Sequence, residues 1–153
     1  MMTTLQAYLL EYAESHTHPV NKGIHWIAVP VILFCVVGLL WIIPTPGAWG
    51  AYWGLNFGSL AMVASLIYYF RLGVKYALGM LAVFALMIGG ISLMESAQLP
   101  IFSILMAAFI VAWIFQFIGH QIEGKRPSFF RDVQFLLIGP LWLLDKSYSA
   151  VEK

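Results

Sequence analysis

Charged side chains are the scarcest component of this chain. Asp, Glu, Lys and Arg make up only 10% of its 153 residues, whereas hydrophobic residues make up 61%, and the mean hydropathy is +0.86. A soluble domain of this size could not cover so much apolar surface with so few charges, so lipid must cover the rest. The net charge of +1 provides no basic surface for nucleic acid. We therefore expect a membrane protein without a nucleic-acid partner.

Cysteine is also nearly absent. Cys35 is the one cysteine, which excludes an intrachain disulfide, and we expect it to pack as a small apolar side chain.

The N-terminus lacks the basic segment of a cleaved signal peptide, because the first basic residue is Lys22. We expect a chain that is retained whole and forms a single membrane domain over residues 1–153.

Long runs without a charged residue divide the chain. The longest has 48 residues and lies between Lys22 and Arg71. A helix needs about 20 mostly apolar residues to cross the hydrocarbon core, and proline, glycine and charge interrupt the runs at Pro44–Gly47, Arg71–Lys75 and Glu95–Pro100. The sequence therefore predicts an all-α integral membrane protein with four transmembrane helices, at Ile24–Ile43, Trp49–Phe70, Val74–Met94 and Ile101–Ile118.

Two further helices are expected outside these spans. Thr3–Ser15 has apolar residues on one helical face, so we predict an N-terminal amphipathic helix there. The tail contains the apolar run Val133–Leu144, which Gly139–Pro140 interrupts. Because this run is too short to span a bilayer, we predict a C-terminal helix that is interfacial or packed against the bundle.

The basic residues indicate the orientation of the spans. With four crossings, the N-terminal segment, the loop between the second and third helices and the C-terminal tail share one side of the membrane. The eight basic residues all lie on that side: Lys22, Arg71, Lys75, Lys125, Arg126, Arg131, Lys146 and Lys153. By the positive-inside rule both termini face the cytoplasm. The expected location is the inner membrane in a bacterium and the endoplasmic reticulum in a eukaryote.

The four histidines lie at or near the ends of the apolar runs. His16, His18 and His25 surround the start of the first predicted span, where we expect Asn21 to be the N-cap. His120 lies at the end of the fourth span, and Glu123 follows it by three residues, on the same helical face.

The predicted topology makes these two groups neighbours, because the first span begins and the fourth ends at the same membrane boundary. Neutral imidazole with carboxylate is the ligand set expected for Fe(II), Mn or Zn. His16, His18, His25 and His120 are therefore candidate metal ligands, and Glu123 is either a ligand or a residue that orients one.

Three polar residues near these histidines have two interpretations each. Asn21 is a helix cap or a residue that supports the site. Gln116, one turn before His120, makes an interhelical hydrogen bond or assists the site. Tyr12, one turn before His16, packs in the core or places a hydroxyl near the site.

One family has this combination of residues. The pattern Tyr12-x₃-His16-x₄-Asn21-x₃-His25, followed by Pro30, QFIGH (Gln116 to His120), Glu123, Pro127 and Gly139–Pro140, resembles the Mpo1-like membrane proteins. The resemblance extends from Tyr12 to about Asp145. It implies an Fe(II)-dependent dioxygenase that shortens 2-hydroxy fatty acids by one carbon in an α-oxidation, with metal-binding histidines at His16, His25 and His120.

The resemblance also implies the partners and the remaining roles. The expected substrates are O₂ and a 2-hydroxy long-chain fatty acid, whose tail stays among membrane lipids while its carboxylate and 2-hydroxyl meet an iron at the cytoplasmic boundary. Lys22 or Arg126 would neutralise the carboxylate, and Gln116 is the third candidate substrate-binding residue. Glu123, Asn21 and Tyr12 are the candidate catalytic residues. Whether the protein forms a homo-oligomer is left undecided by the sequence.

Three other functions fit the same residues. Two histidines could be the axial ligands of a haem, which would give a Soret band. A non-enzymatic four-helix membrane protein, such as a transporter, is a second alternative, although transporters usually place polar groups at the midplane of the membrane. A zinc-dependent lipid hydrolase would use similar ligands and work without oxygen.

Overall fold

The structure, a computed structural model, describes residues 4–14, 16–52, 54–124 and 129–151. Within these residues all regular secondary structure is helical and there is no strand, as predicted. A short 3₁₀ helix covers Gly47–Ala51. The six α-helices are α1 (Thr4–Glu14), α2 (Pro19–Trp41), α3 (Phe57–Leu72), α4 (Val74–Ser96), α5 (Ile101–Glu123) and α6 (Phe129–Val151).

Three of these helices are long and apolar enough to cross a membrane. They are α2, α4 and α5, each of 23 residues, which at 1.5 Å per residue corresponds to about 35 Å, more than the hydrocarbon core of about 30 Å. The apolar helix α3 has only 16 residues, or about 24 Å. A crossing by α3 stays a prediction, and so does the cytoplasmic position of both termini.

The second predicted span starts later than expected, at Phe57 rather than at Trp49, because a capping box begins the helix. The Asn56 side-chain oxygen accepts a hydrogen bond from the Ser59 N–H at 2.9 Å, and the Ser59 hydroxyl accepts one from the Asn56 N–H at 3.0 Å. Gly54 precedes the cap with φ +83°, a turn conformation that suits glycine. Local hydrogen bonding therefore outweighs the apolar character of the preceding residues.

The start of α2 also differs from the prediction. The helix begins at Pro19, where a missing N–H costs nothing. His18 caps it, since its ring Nδ1 accepts the Val20 N–H at 3.2 Å and its carbonyl accepts the Lys22 N–H at 3.0 Å. The expectation that Asn21 is the N-cap is wrong, because Asn21 lies inside the first turn.

The predicted C-terminal helix is present as α6 and continues through Gly139–Pro140, the pair that interrupts its apolar run. Pro140 removes one N–H from the helix, but tertiary packing holds this part of α6 in place. A Cβ atom on Gly139 would lie 3.2 Å from the Tyr12 hydroxyl and 3.2 Å from Val29 Cγ1. The absence of a side chain at Gly139 therefore lets α6 approach both α1 and α2, and the tail helix is packed rather than free.

The helices form two compact units. The terminal unit comprises Met1–Val31 and Val111–Lys153, and the central unit comprises Ile32–Ile110. In the central unit α3 packs against α4, and the largest fully buried side chains are those of Tyr69, Met80, Ile91 and Leu105. The terminal unit contains all four histidines.

Two glycines test the packing of the central unit. A Cβ atom on Gly58 would lie 2.8 Å from the Val37 carbonyl oxygen and 3.1 Å from the Trp41 amide nitrogen, both of them backbone atoms, whereas one on Gly89 meets nothing within 4 Å. We expect Gly58→Ala to lower the free energy of unfolding by about 1–3 kcal/mol. Gly89→Ala, the matched control, should be neutral or stabilising by less than about 1 kcal/mol. Thermal unfolding in one detergent measures both, and equal effects would contradict this account.

Candidate metal centre

Three of the four histidine side chains lie together in the terminal unit. His16 is on the connection between α1 and α2, His25 is in the second turn of α2, and His120 is in the last turn of α5. All three are buried, and the distances between their ring centroids are 4.1, 5.2 and 5.7 Å. One nitrogen of each ring lies within 4.8 Å of the others. We call this group the three-histidine cluster.

Backbone hydrogen bonds determine which nitrogens face a ligand. His16 Nδ1 lies 2.6 Å from the Tyr12 carbonyl oxygen, and His25 Nδ1 lies 2.9 Å from the Asn21 carbonyl oxygen. A carbonyl only accepts, so each Nδ1 must carry the hydrogen, and the lone pair is on Nε2. Metal-binding histidines typically donate their second ring nitrogen in this way. Two members of the three-histidine cluster are therefore held in the tautomer that binds a metal.

The spacing of the three-histidine cluster fits one metal ion. Nitrogens about 2.1 Å from a common ion are about 3.0–3.5 Å apart in octahedral or tetrahedral geometry. The observed limit of 4.8 Å needs only a small closure of the rings. Three neutral imidazoles suit iron, copper, nickel or zinc. The three histidines therefore fit a metal ion but do not determine which metal it is.

Tyr12 positions His16 through its ring. The two rings are stacked, with centroids 4.1 Å apart and planes 12° from parallel. Trp142 of α6 packs against the same pair, 5.5 Å from Tyr12 and 5.9 Å from His16. The Tyr12 hydroxyl lies against α6 at Gly139. Both the ring and the carbonyl of Tyr12 thus hold His16 in place.

Glu123 does not join the three-histidine cluster but fixes the chain segment beside it. One carboxylate oxygen accepts the Thr17 N–H at 2.9 Å and the Thr17 hydroxyl. The other accepts the His18 N–H at 2.9 Å and the Asn21 side-chain N–H at 3.1 Å. Hydrogen bonds to a charged acceptor are the stronger ones. The last turn of α5 is thereby tied to the connection that carries His16.

Asn21 reaches Glu123 because Gly119 makes room for it. Asn21 is fully buried, and a Cβ atom on Gly119 would overlap the Asn21 side-chain oxygen and lie 3.4 Å from Ile24 Cδ1. The glycine before His120 therefore allows the start of α2 and the end of α5 to approach closely. The same contact brings His25, one turn after Asn21, towards His120.

The remaining sequence-predicted residues lie in different places. His18 is exposed and caps α2, outside the three-histidine cluster. Gln116 is buried one turn before His120, and within the part of the chain that the structure describes its side-chain oxygen accepts no hydrogen bond. A buried acceptor of this kind usually has a partner, so it suits a water molecule or a ligand. Arg126 lies outside the described residues.

A cavity of about 400 Å³ opens beside His16, within the size range of ligand pockets. Lys22, a predicted substrate-binding residue, lies on its wall. The full lining is Ala13, His16, Thr17, Lys22, Trp26, Trp142 and Lys146. Sequence reasoning did not single out Thr17, Trp142 or Lys146. The four-residue spacing of the last two, which places them on one helical face, was the available signal.

The fold and the site define a class of protein. It is all-helical, with apolar helices of membrane length and a buried cluster of three imidazoles. The model of the Mpo1-like family, described as 2-hydroxy-palmitic acid dioxygenase Mpo1-like, matches residues 2–151. The chain belongs to this family, as its residue pattern predicted.

A curated relative supports the same assignment. The chain is similar to the 2-hydroxy-palmitic acid dioxygenase MPO1 of Saccharomyces cerevisiae, with 29% identity over 142 residues, which cover 92% of this chain and 77% of the yeast protein. No solved structure matches this chain.

Replacing the histidines one at a time tests the metal centre. We expect His16→Ala, His25→Ala and His120→Ala each to lower metal affinity by more than the roughly 10–100-fold that loss of a supporting hydrogen bond produces. His18→Ala is the matched control and should keep the metal, because His18 lies outside the three-histidine cluster. Metal content after dialysis measures all four variants. Equal retention by His18→Ala and His120→Ala would contradict the centre.

Glu123 should affect the metal without touching it. Glu123→Gln replaces one acceptor oxygen with a donor that faces backbone N–H groups, so the connection bearing His16 loosens. We expect metal affinity to fall by about 10–100-fold. Glu95→Gln is the control, because Glu95 accepts the Trp41 indole N–H at 3.1 Å in the central unit; its metal affinity should not change. Unchanged affinity in Glu123→Gln would show that the histidines are positioned without this carboxylate.

Proposed function

We propose that this protein is an Fe(II)-dependent membrane dioxygenase that shortens 2-hydroxy fatty acids by one carbon. The observation that carries the proposal is the buried three-histidine cluster, found in a chain whose family model is described as a 2-hydroxy-palmitic acid dioxygenase. The yeast relative, which bears the same name, supports the substrate class.

The proposed reaction balances without a further reductant. A 2-hydroxy acid and O₂ give the acid one carbon shorter, CO₂ and water. The bond between C1 and C2 breaks, C2 becomes the new carboxyl carbon, and the four electrons lost by the two carbons reduce O₂. Iron bound by the histidines would supply the redox chemistry that allows O₂ to react with the acid.

The residues of this chain would hold and orient the reactants. His16, His25 and His120 would bind the metal through ring nitrogens, two of them fixed by backbone carbonyls. Thr17 and Asn21, held by Glu123, would keep those rings in register. Tyr12 acts through the ring of His16. In this arrangement Glu123, Asn21 and Tyr12 are positioning residues.

Substrate recognition would use polar groups around the cluster. Lys22 would neutralise the carboxylate from the cavity wall. Gln116 offers a buried carbonyl oxygen one turn from His120, suited to a water molecule or to the 2-hydroxyl. Arg126 is retained in the proposal as a second cation that meets the acid on entry.

The packing of the imidazoles argues against a haem. Axial ligands of a haem lie on opposite faces of a wide planar ring. Here a third imidazole lies within 4.8 Å of the other two, where the macrocycle would have to pass. A zinc hydrolase stays the alternative, because three histidines also hold catalytic zinc.

The position of the site agrees with a lipid substrate. His25 and His120 lie near the ends of two helices of membrane length, so the metal would lie at a bilayer boundary rather than at its centre. We place this boundary and both termini on the cytoplasmic side, where the basic residues gather. A fatty acid could then react at its head while its tail stays in the bilayer.

Oxygen uptake tests the reaction. The protein, purified without oxygen and loaded with Fe(II), should consume one O₂ for each pentadecanoic acid formed from 2-hydroxypalmitic acid. Palmitic acid is the control and should give no uptake, because it lacks the 2-hydroxyl. Zinc-loaded protein should be inactive. Product formation without oxygen, or with zinc alone, would overturn the dioxygenase and favour a hydrolase.

A further inference from the structure

The cavity beside the three-histidine cluster has a second cation on its wall. Lys22 enters from the first turn of α2, and Lys146 enters from α6. The two residues are 124 positions apart in the sequence, so their meeting is a product of the fold. In the part of the chain that the structure describes, the residues lining this cavity include two lysines and no acidic residue. Its charge therefore favours an anion.

The rest of the wall suits the first carbons of an alkyl chain. Trp26 and Trp142 line the cavity with Ala13. The Lys146 ammonium lies 5.8 Å from the centre of the Trp142 ring, within the range of a cation–π contact, so the ring faces the charge. Trp26 and Ile27 expose 45% and 72% of their surface on α2. An alkyl chain leaving the cavity past Trp26 would continue along an apolar helix face.

His16 connects this cavity to the metal site. His16 lines the cavity and is also a member of the three-histidine cluster. A group bound in this cavity therefore shares it with one residue of the three-histidine cluster. A molecule that fills the cavity should therefore have an anionic end, beside the lysines, and an apolar part beyond it.

We propose that Lys146, together with Lys22, forms the carboxylate-binding site of the fatty acid, and that Lys146 acts as a specificity-determining residue for acids over neutral lipids. This inference rests on the proposed function for the identity of the acid. A carboxylate has enough lone pairs to accept from two ammonium groups and still face the metal site. The tryptophans contact the first carbons, and the 2-hydroxyl lies on the His16 side.

Binding to metal-free protein separates this inference from the reaction. The full-length chain in detergent, with metal removed by a chelator, is titrated with 2-hydroxypalmitic acid and with its methyl ester. We expect Lys146→Met, which keeps most of the apolar stem, to weaken binding of the acid about tenfold and that of the ester less than twofold. Lys146→Arg should restore binding of the acid, because it restores the charge.

A matched control and a kinetic measurement complete the test. Lys75→Met removes an exposed lysine from the central unit and should leave both affinities unchanged. In iron-loaded protein Lys146→Met should raise KM about tenfold and change kcat less, because the carboxylate is bound before the chemical step. Wild-type protein that binds the acid but does not consume oxygen would overturn the proposed function while leaving the carboxylate site intact.

Three results would overturn the inference. Equal loss of acid and ester binding in Lys146→Met would mean that Lys146 only supports the packing of Trp142. Unchanged binding of the acid would remove Lys146 from the site. Displacement of the acid by vesicles of phosphatidic acid, lost in Lys146→Met, would assign the two lysines to a phospholipid phosphate.

Discussion

The Glu123 carboxylate is the constraint on which the rest of the terminal unit depends. It accepts hydrogen bonds from two backbone N–H groups, a hydroxyl and an amide, from residues more than 100 positions earlier in the chain. In the connection between α1 and α2, which ends before Pro19, the His16 N–H donates to the Ala13 carbonyl oxygen at 3.0 Å, and Glu123 fixes the residues that follow. Without these contacts the position of His16 relative to His120 would depend on the ring and the carbonyl of Tyr12 and on the packing of Trp142. The Glu123 carboxylate, a candidate metal ligand or orienting residue in the sequence, makes its hydrogen bonds to the chain segment that follows His16, itself a candidate ligand.

The position of His18 shows why the spacing of the histidines alone does not separate His18 from the other three. His16 and His18 are two residues apart and equally near the start of the first span. Pro19 begins α2, so the residue before it becomes the cap, and the His18 ring turns to the Val20 N–H. His16 is one turn after Tyr12, whose carbonyl takes its Nδ1 hydrogen. The four-residue spacing from Tyr12 to His16 is visible in the sequence. The hydrogen bond between the Tyr12 carbonyl oxygen and the His16 ring is not.

Long-range apolar patterning predicted the fold better than it predicted the ends of the helices. The apolar runs predicted the all-helical architecture and, closely, the bounds of α4. They did so because burial of each apolar residue of a run, in lipid or in the core, is favourable. Helix ends depend on single hydrogen bonds. The Asn56 and Ser59 capping box moved the start of α3 past several aromatic residues, and packing at Gly139 carried α6 through Pro140. A cap of this kind contributes about 1 kcal/mol, and neither the cap nor the tertiary contact at Gly139 can be inferred from composition.

The same contacts explain how polar chemistry can be placed beside a membrane. A buried imidazole without a hydrogen bond is unfavourable, and two members of the three-histidine cluster meet this requirement with carbonyls of their own chain segment. Each of these bonds also fixes the tautomer of its histidine. The hydrogen bond that makes burial of the ring less unfavourable therefore leaves the Nε2 lone pair to face the other histidines. The aromatic rings of Tyr12 and Trp142 then cover His16 on the α6 side. A site made in this way needs few polar residues, which is consistent with a chain in which charge is scarce.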